Sequence, residues 1–185
     1  MLNNVSRFIP KPRVLLLLAG TLGFCLFLNS CSSQMKAQER YLTHHFVYGK
    51  TAYIGPDGKA HAPPSAPRRV HKMVAAANEL VGKPYRYGGG HRSFYDRGYD
   101  CSGAVSYILH KGGKLDKPMV SSQFLKYGQK GYGDYVTLYV RKGHVFIEIC
   151  GLRFDTGGTK SSTGPRWKPW RRGLKGYYVR HPSGL

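Results

Sequence analysis

The sequence predicts an α+β domain with an antiparallel sheet, on three observations. Two segments with helical spacing come first, near residues 66–81 and 101–111. Four runs of strand character follow, Tyr135 to Val140, His144 to Ile149, Leu152 to Thr156 and Gly176 to Arg180. Helices gathered at one end of the chain and strands at the other mark this class rather than an alternating parallel one. Residues from about 66 to 185 form a block of usual single-domain size, without an internal repeat.

In the first helix Ser65 is placed to cap and Pro67 suits the first turn. Val70, Met73, Val74, Ala77, Leu80 and Val81 keep the spacing of one buried face until Gly82 and Pro84 stop it. The loop Pro84-Tyr85-Arg86-Tyr87-Gly88-Gly89-Gly90 lacks the Lys-Ser/Thr ending of a phosphate-binding loop. It reads as a tight turn that lets backbone pass close to a site. The second helix opens at Cys101, directs Ala104, Val105, Ile108 and Leu109 to one side, and ends at Gly112-Gly113. Ser121 to Tyr127 reads as a brief helical turn. The aromatic and basic tail, Gly164-Pro165-Arg166-Trp167 to Arg180-His181-Pro182, is expected to close the sheet rather than to wall a cleft.

Residues 1–30 read as an export leader. Arg7, Lys11 and Arg13 precede an apolar run from Val14 to Leu28, short of the roughly 20 residues a membrane-spanning helix needs. Leu28-Asn29-Ser30-Cys31 resembles a bacterial lipobox, which implies lipidation of Cys31 as the mature N-terminus. Ser32 stands where an inner-membrane retention signal has Asp, which favours an outer-membrane anchor facing the periplasm. Residues 31–65 are polar, carry Gly55-Pro56-Asp57-Gly58 and Pro63-Pro64, and read as a tether with one short hairpin.

The chain carries 29 Lys+Arg against 9 Asp+Glu, a formal charge of +20, and +17 once residues 1–30 are gone. Such a field draws polyanions. Export argues against nucleic acid, and no zinc-finger, RNP-type or basic-heptad pattern is present. Anionic envelope surfaces are the expected partners: wall carboxylates, wall polymers and lipid head groups. No CxxC pair and no His/Cys cluster at zinc spacing occurs, so neither metal nor cofactor is expected; His44-His45 read as solvated.

The candidate chemistry lies in Asp100-Cys101-Ser102-Gly103. A cysteine opening a helix sits at its positive end, where free N–H groups and the macrodipole favour thiolate, the nucleophilic form. Removal of the leader takes Cys25 and lipid caps Cys31, leaving Cys101 and Cys150. In an oxidising compartment a Cys101–Cys150 disulfide is the competing reading. If Cys150-Gly151 make a two-residue turn, Ile149 faces Leu152, Glu148 faces Arg153 and Phe146 faces Asp155. Val145, Ile147, Ile149, Leu152, Phe154 and Thr156 then line the core face. His144, Phe146, Glu148, Arg153 and Asp155 line the other, with Glu148–Arg153 as an opposite-charge pair. His144 and Asp155 become diagonal neighbours roughly 7–8 Å apart by backbone. Cysteine, a His 43 residues later and an Asp on the paired strand form a nucleophile, base and orienter set.

The strings Gly82-Lys83-Pro84-Tyr85-Arg86-Tyr87-Gly88-Gly89, Asp100-Cys101-Ser102-Gly103 and Gly143-His144-Val145 resemble the NlpC-type family of cell-wall cysteine endopeptidases, over about residues 67 to 180. The resemblance implies a circularly permuted papain-like α+β fold, with the nucleophile helix packed on an antiparallel sheet. It implies hydrolysis of peptide bonds in peptidoglycan stem peptides, commonly D-γ-glutamyl–diaminopimelate. By the same resemblance Cys101 matches the nucleophile, His144 the base and Tyr85 the tyrosine that helps hold the oxyanion. Asp100 and Ser102 match positions that recognise a stem's free amine. Two departures are evident: the family's third residue is most often His where Asp155 stands, and the proline-glycine-aspartate turn before the His strand is missing, with Gly133-Asp134 nearest to it. A catalytically silent wall-binding lipoprotein and a papain-like amidase or acyltransferase are the alternatives.

Overall fold

The turn at Cys150-Gly151 joins two interior strands of an antiparallel sheet that shares one apolar core with both helices. The computed structural model describes residues 51–157, 164–168 and 174–185, all within one compact unit, Leu42–Leu185. The leader, Cys31, His44-His45 and the first part of the polar segment lie outside the described residues. In chain order the elements are β1 (Tyr53–Ile54), β2 (Ala60–His61), α1 (Arg68–Leu80), α2 (Cys101–Lys111), a 3-10 turn (Gln123–Lys126), β3 (Gln129–Lys130), β4 (Val136–Arg141), β5 (His144–Ile149), β6 (Leu152–Asp155), β7 (Arg166–Lys168) and β8 (Tyr178–His181). β1 pairs with β2, and the remaining strands follow the order β3-β8-β4-β5-β6-β7 with antiparallel neighbours. Among the described residues, no helix is long and apolar enough to cross a membrane.

The expected short hairpin is present, with Gly55 to Gly58 as its turn and Gly58 at φ 74°. It belongs to the body rather than to a free spacer, because Ala52 and Ala60 are buried in the core. Asn78 of α1 secures it: its side chain accepts from the Ala60 N–H at 2.9 Å and donates to the Ala60 carbonyl at 2.8 Å. The same amide oxygen accepts from Trp167 Nε1 at 2.7 Å, so one side chain links the hairpin, α1 and β7. No periodicity reports such a link.

α1 buries Val70, Met73, Val74, Ala76, Ala77 and Leu80, the face that its spacing implies. Its start differs: Pro67, not Ser65, occupies the N-cap position, and no side chain caps it. α2 departs further. Every residue from Ser102 to Leu109 is buried, although only four positions read as core. The glycine loop explains part of this. A Cβ on Gly103 would stand 1.9 Å from the Gly89 carbonyl oxygen, so loop backbone lies directly on the first turn of α2. Such contact needs glycine on the helix side.

The β5–β6 register is Ile149 with Leu152, Glu148 with Arg153 and Ile147 with Phe154. Cys150 (φ 48°) and Gly151 (φ 81°) both adopt the left-handed region, as a two-residue type I′ turn requires. The face opposite the helices is not solvated as a simple alternation implies: Phe146, Glu148 and Asp155 are all buried. Tyr139 stacks on Phe146 at 4.7 Å, and the Arg153 guanidinium lies 3.8 Å over the same ring. Glu148 accepts from the Tyr139 hydroxyl at 3.3 Å, which satisfies part of a buried carboxylate. The tail closes the sheet through β7 on β6, with Asp155 opposite Arg166.

Candidate active site

Cys101 begins α2 because Asp100 caps it. The Asp100 Oδ1 accepts the Gly103 N–H at 2.8 Å, which fills one of the orphan donors of the first turn. The loop before it is held in place by a parallel bridge between Tyr85 and Tyr99. Tyr99 N–H donates to the Pro84 carbonyl at 3.1 Å, and Arg86 N–H donates to the Tyr99 carbonyl. Tyr85 therefore stands beside Asp100 and Cys101, 41% exposed. Burial and the charges of Cys101 and Asp100 push its phenol pKa up, so the hydroxyl keeps its proton to donate.

His144 opens β5 after the turn at Gly143, whose φ is 80°. The imidazole Nε2 lies 3.0 Å from Asp155 Oδ1, with side-chain exposures of 17% and 0%. Cys101 lies near enough to the ring to act on its titration, and with Nε2 committed to Asp155 the nitrogen left for the sulfur is Nδ1. Burial lowers the His144 pKa, but the neighbouring Asp155 carboxylate and Cys101 sulfur outweigh it and raise the value to about 9. Asp155 shows the converse. Burial opposes its charge, yet the His144 pairing, the Gly157 N–H at 2.8 Å and Arg153 hold it well below the ordinary carboxylate range. Arg153 Nε donates to Asp155 Oδ2 at 2.9 Å, and Lys168 Nζ stands 3.7 Å from the same oxygen. A carboxylate ringed in this way is a fixed anion, able to set one imidazole tautomer and to stabilise imidazolium.

Cys101, His144, Asp155 and Tyr85 thus converge from α2, β5, β6 and the glycine loop. Asp100 and Ser102 form a separate buried cluster alongside. His91 Nε2 contacts Asp100 Oδ1 and Ser102 Oγ, each at 3.0 Å, while Ser102 Oγ donates to Asp100 at 3.1 Å. Gly88 N–H completes the set on Asp100 Oδ2. Both side chains already have internal partners, so a ligand reaching them would have to displace the His91 imidazole. His91 carries no sequence signal; a lone histidine in a glycine-rich loop resembles any solvated one. Tyr177 is likewise invisible in the sequence, yet its ring meets His144 edge-on at 6.3 Å.

The disulfide alternative is corrected. Cys101 and Cys150 are both free. Cys101 contacts His144 at one end of β5, and Cys150 follows Ile149 at the other end, roughly 20 Å away at strand rise. A disulfide tolerates at most about 7 Å between Cα atoms. Burial pushes the Cys150 thiol up to about 11 and leaves it a packing residue.

A helix-borne thiol beside an imidazole that is itself fixed by a buried carboxylate is the kind of arrangement used for nucleophilic thiol chemistry. Comparison with known proteins gives a match to a cell-wall enzyme. The chain is 31% identical over 117 residues to the probable peptidoglycan endopeptidase LytE of Bacillus subtilis, a match covering 57% of this chain and 34% of LytE. The chain therefore spans about a third of the curated relative it matches. Two solved structures from Mycobacterium tuberculosis also align, each with a TM-score of 0.47 and 21% identity. RipD, described as a non-catalytic NlpC/p60 domain protein adapted to peptidoglycan binding, aligns over 63% of this chain and 98% of its own. The peptidoglycan hydrolase RipB aligns over 81% and 84%. No family model matches the chain.

Proposed function

We propose that this protein is a cell-wall cysteine peptidase of NlpC type that hydrolyses peptide bonds in peptidoglycan stem peptides. The observation that carries the reading is the Cys101–His144–Asp155 relay, assembled from three separate segments. The similarity to LytE supports the substrate class. The D-γ-glutamyl–diaminopimelate linkage is the bond that the family resemblance favours.

In this mechanism the Cys101 thiolate attacks the carbonyl carbon and forms a C–S bond. The Tyr85 hydroxyl and backbone N–H groups of the first turn of α2 hold the developing oxyanion. Protonated His144 gives its Nδ1 proton to the leaving amine as the C–N bond breaks, leaving a thioester. Neutral His144 then takes a proton from water, the resulting hydroxide attacks, and the C–S bond breaks to release a carboxylate. Asp155 keeps the ring oriented and stabilises its charged form throughout. None of these steps calls on a cofactor.

For location we propose export through the leader, lipidation at Cys31 and a periplasm-facing anchor, with the polar segment after Cys31 as tether and the basic surface held against anionic envelope polymers. The direct test is mass spectrometry of muropeptides digested with the purified mature protein. New amino and carboxyl termini within the stem are expected, and Cys101→Ala should yield none while still co-sedimenting with sacculi. Wild-type protein that binds sacculi and releases nothing would leave a silent wall-binding protein. Cleavage at a muramoyl amide would move the reaction to the amidases.

A further inference from the structure

We propose that Tyr177, backed by Arg141, is a positioning residue that caps the His144–Asp155 pair, holding the imidazole in one orientation and keeping water off its hydrogen bond. The inference rests on the catalytic reading above. Tyr177 precedes β8, and β4 and β5 bring Arg141 and Phe146 against it. Its ring meets His144 edge-on at 6.3 Å with an interplanar angle of 74°. It also packs edge-on against Phe146 at 5.2 Å. Arg141, paired with His144 across β4 and β5, places its guanidinium 4.9 Å over the Tyr177 ring.

Each contact has a physical consequence. Edge-to-face packing is directional, so a ring held by Phe146 and Arg141 restrains rotation of the imidazole about its side-chain bond. Asp155 alone fixes one nitrogen and leaves the ring free to pivot about that contact. The Cys101 sulfur must meet the other nitrogen, so a pivot breaks the relay. Burial raises the Tyr177 phenol pKa against the opposing charge of Arg141. A Cβ at Gly157 would stand 3.1 Å from His144 Nε2, so backbone closes one flank of the pair. Excluding water strengthens the buried hydrogen bond and slows loss of its proton.

The test uses the mature chain and separates this inference from the catalytic reading. Wild type should show a far-downfield Nε2–H proton resonance for His144, absent from Asp155→Ala. Tyr177→Phe and Tyr177→Trp should keep that resonance and keep kcat within about threefold. Tyr177→Ala should lose it to solvent exchange and lower kcat about 10–50-fold, the size of a misplaced general base, with KM within about twofold. Arg141→Ala, which leaves the ring in place, should give an intermediate exchange rate and protects the test against a misfolded Tyr177 variant. If Tyr177→Ala keeps both the resonance and kcat, the capping role is overturned. If wild type lacks the resonance altogether, the His144–Asp155 pairing, and with it the catalytic reading, fails instead.

Discussion

His144 Nε2 and Asp155 Oδ1 lie 3.0 Å apart although 11 residues separate them, and the turn at Cys150-Gly151 is what brings them together. The two groups are a diagonal pair on adjacent strands, and their mutual attraction moves both titrations. His144 titrates near 9, above its ordinary 6.5, so its contribution to stability is full below about pH 6.5 and disappears as pH rises through about 9. Asp155 titrates below its ordinary value, so its contribution is present above about pH 4 and is lost as pH falls through the lowered value. The gap in urea midpoint between wild type and Asp155→Asn should be widest near pH 5–6 and narrowest above pH 10. A gap independent of pH would separate the pairing from stability.

Asp155→Ala removes the fixed anion and leaves His144 free to rotate. Hydrolysis should fall about 100-fold or more, the usual size of a general acid–base contribution, with the far-ultraviolet spectrum unchanged. Stopped assays on purified sacculi measure it. Turnover equal to wild type would place the orienting group elsewhere.

The two described thiols should react very differently. Cys101 is partly exposed beside an imidazole, whereas Cys150 is buried and titrates near 11. Iodoacetamide at pH 7 followed by peptide mapping should find Cys101 alkylated within minutes and Cys150 only after unfolding. Cys150→Ala should keep full activity. Equal labelling of both would contradict the burial at the turn.

Gly157→Ala is a sharper probe of the site than most charge changes. The added carbon would stand 3.1 Å from His144 Nε2, 3.2 Å from Cε1 and 3.4 Å from Asp155 Oδ1. The imidazole must give way by a few tenths of an ångström, which displaces it from the sulfur. Activity should drop roughly tenfold or more while the thermal midpoint moves only slightly. Crystal structures of the variant would show the shifted ring.

Asp100→Ala should act on stability before it acts on chemistry. The carboxylate caps α2 and also accepts from Gly88 N–H, Ser102 Oγ and His91. Loss of a cap and of buried partners costs about 2–4 kcal/mol together. Denaturant titration checks this, and a loss under about 0.5 kcal/mol would show the cap to be dispensable.

Much of this was readable from the chain alone because its signals are local. A cysteine after an aspartate, followed by helical spacing, dictates the α2 start, since the cap needs only residues three apart. The β5–β6 register follows from a two-residue turn and period-two alternation, and it carries His144 and Asp155 with it. Other features depend on which surfaces meet, and no short-range pattern encodes that. Burial of α2 on all sides comes from the glycine loop laid across Gly103. The approach of His91 to Asp100, of Asn78 to the hairpin, and of Tyr177 to His144 joins residues from 9 to 33 positions apart. Local chain chemistry therefore determined where Cys101, His144 and Asp155 stand on their helix and strands. Only long-range packing decided what encloses them and that Cys150 stays far from Cys101, because such contacts exist only once the core has closed.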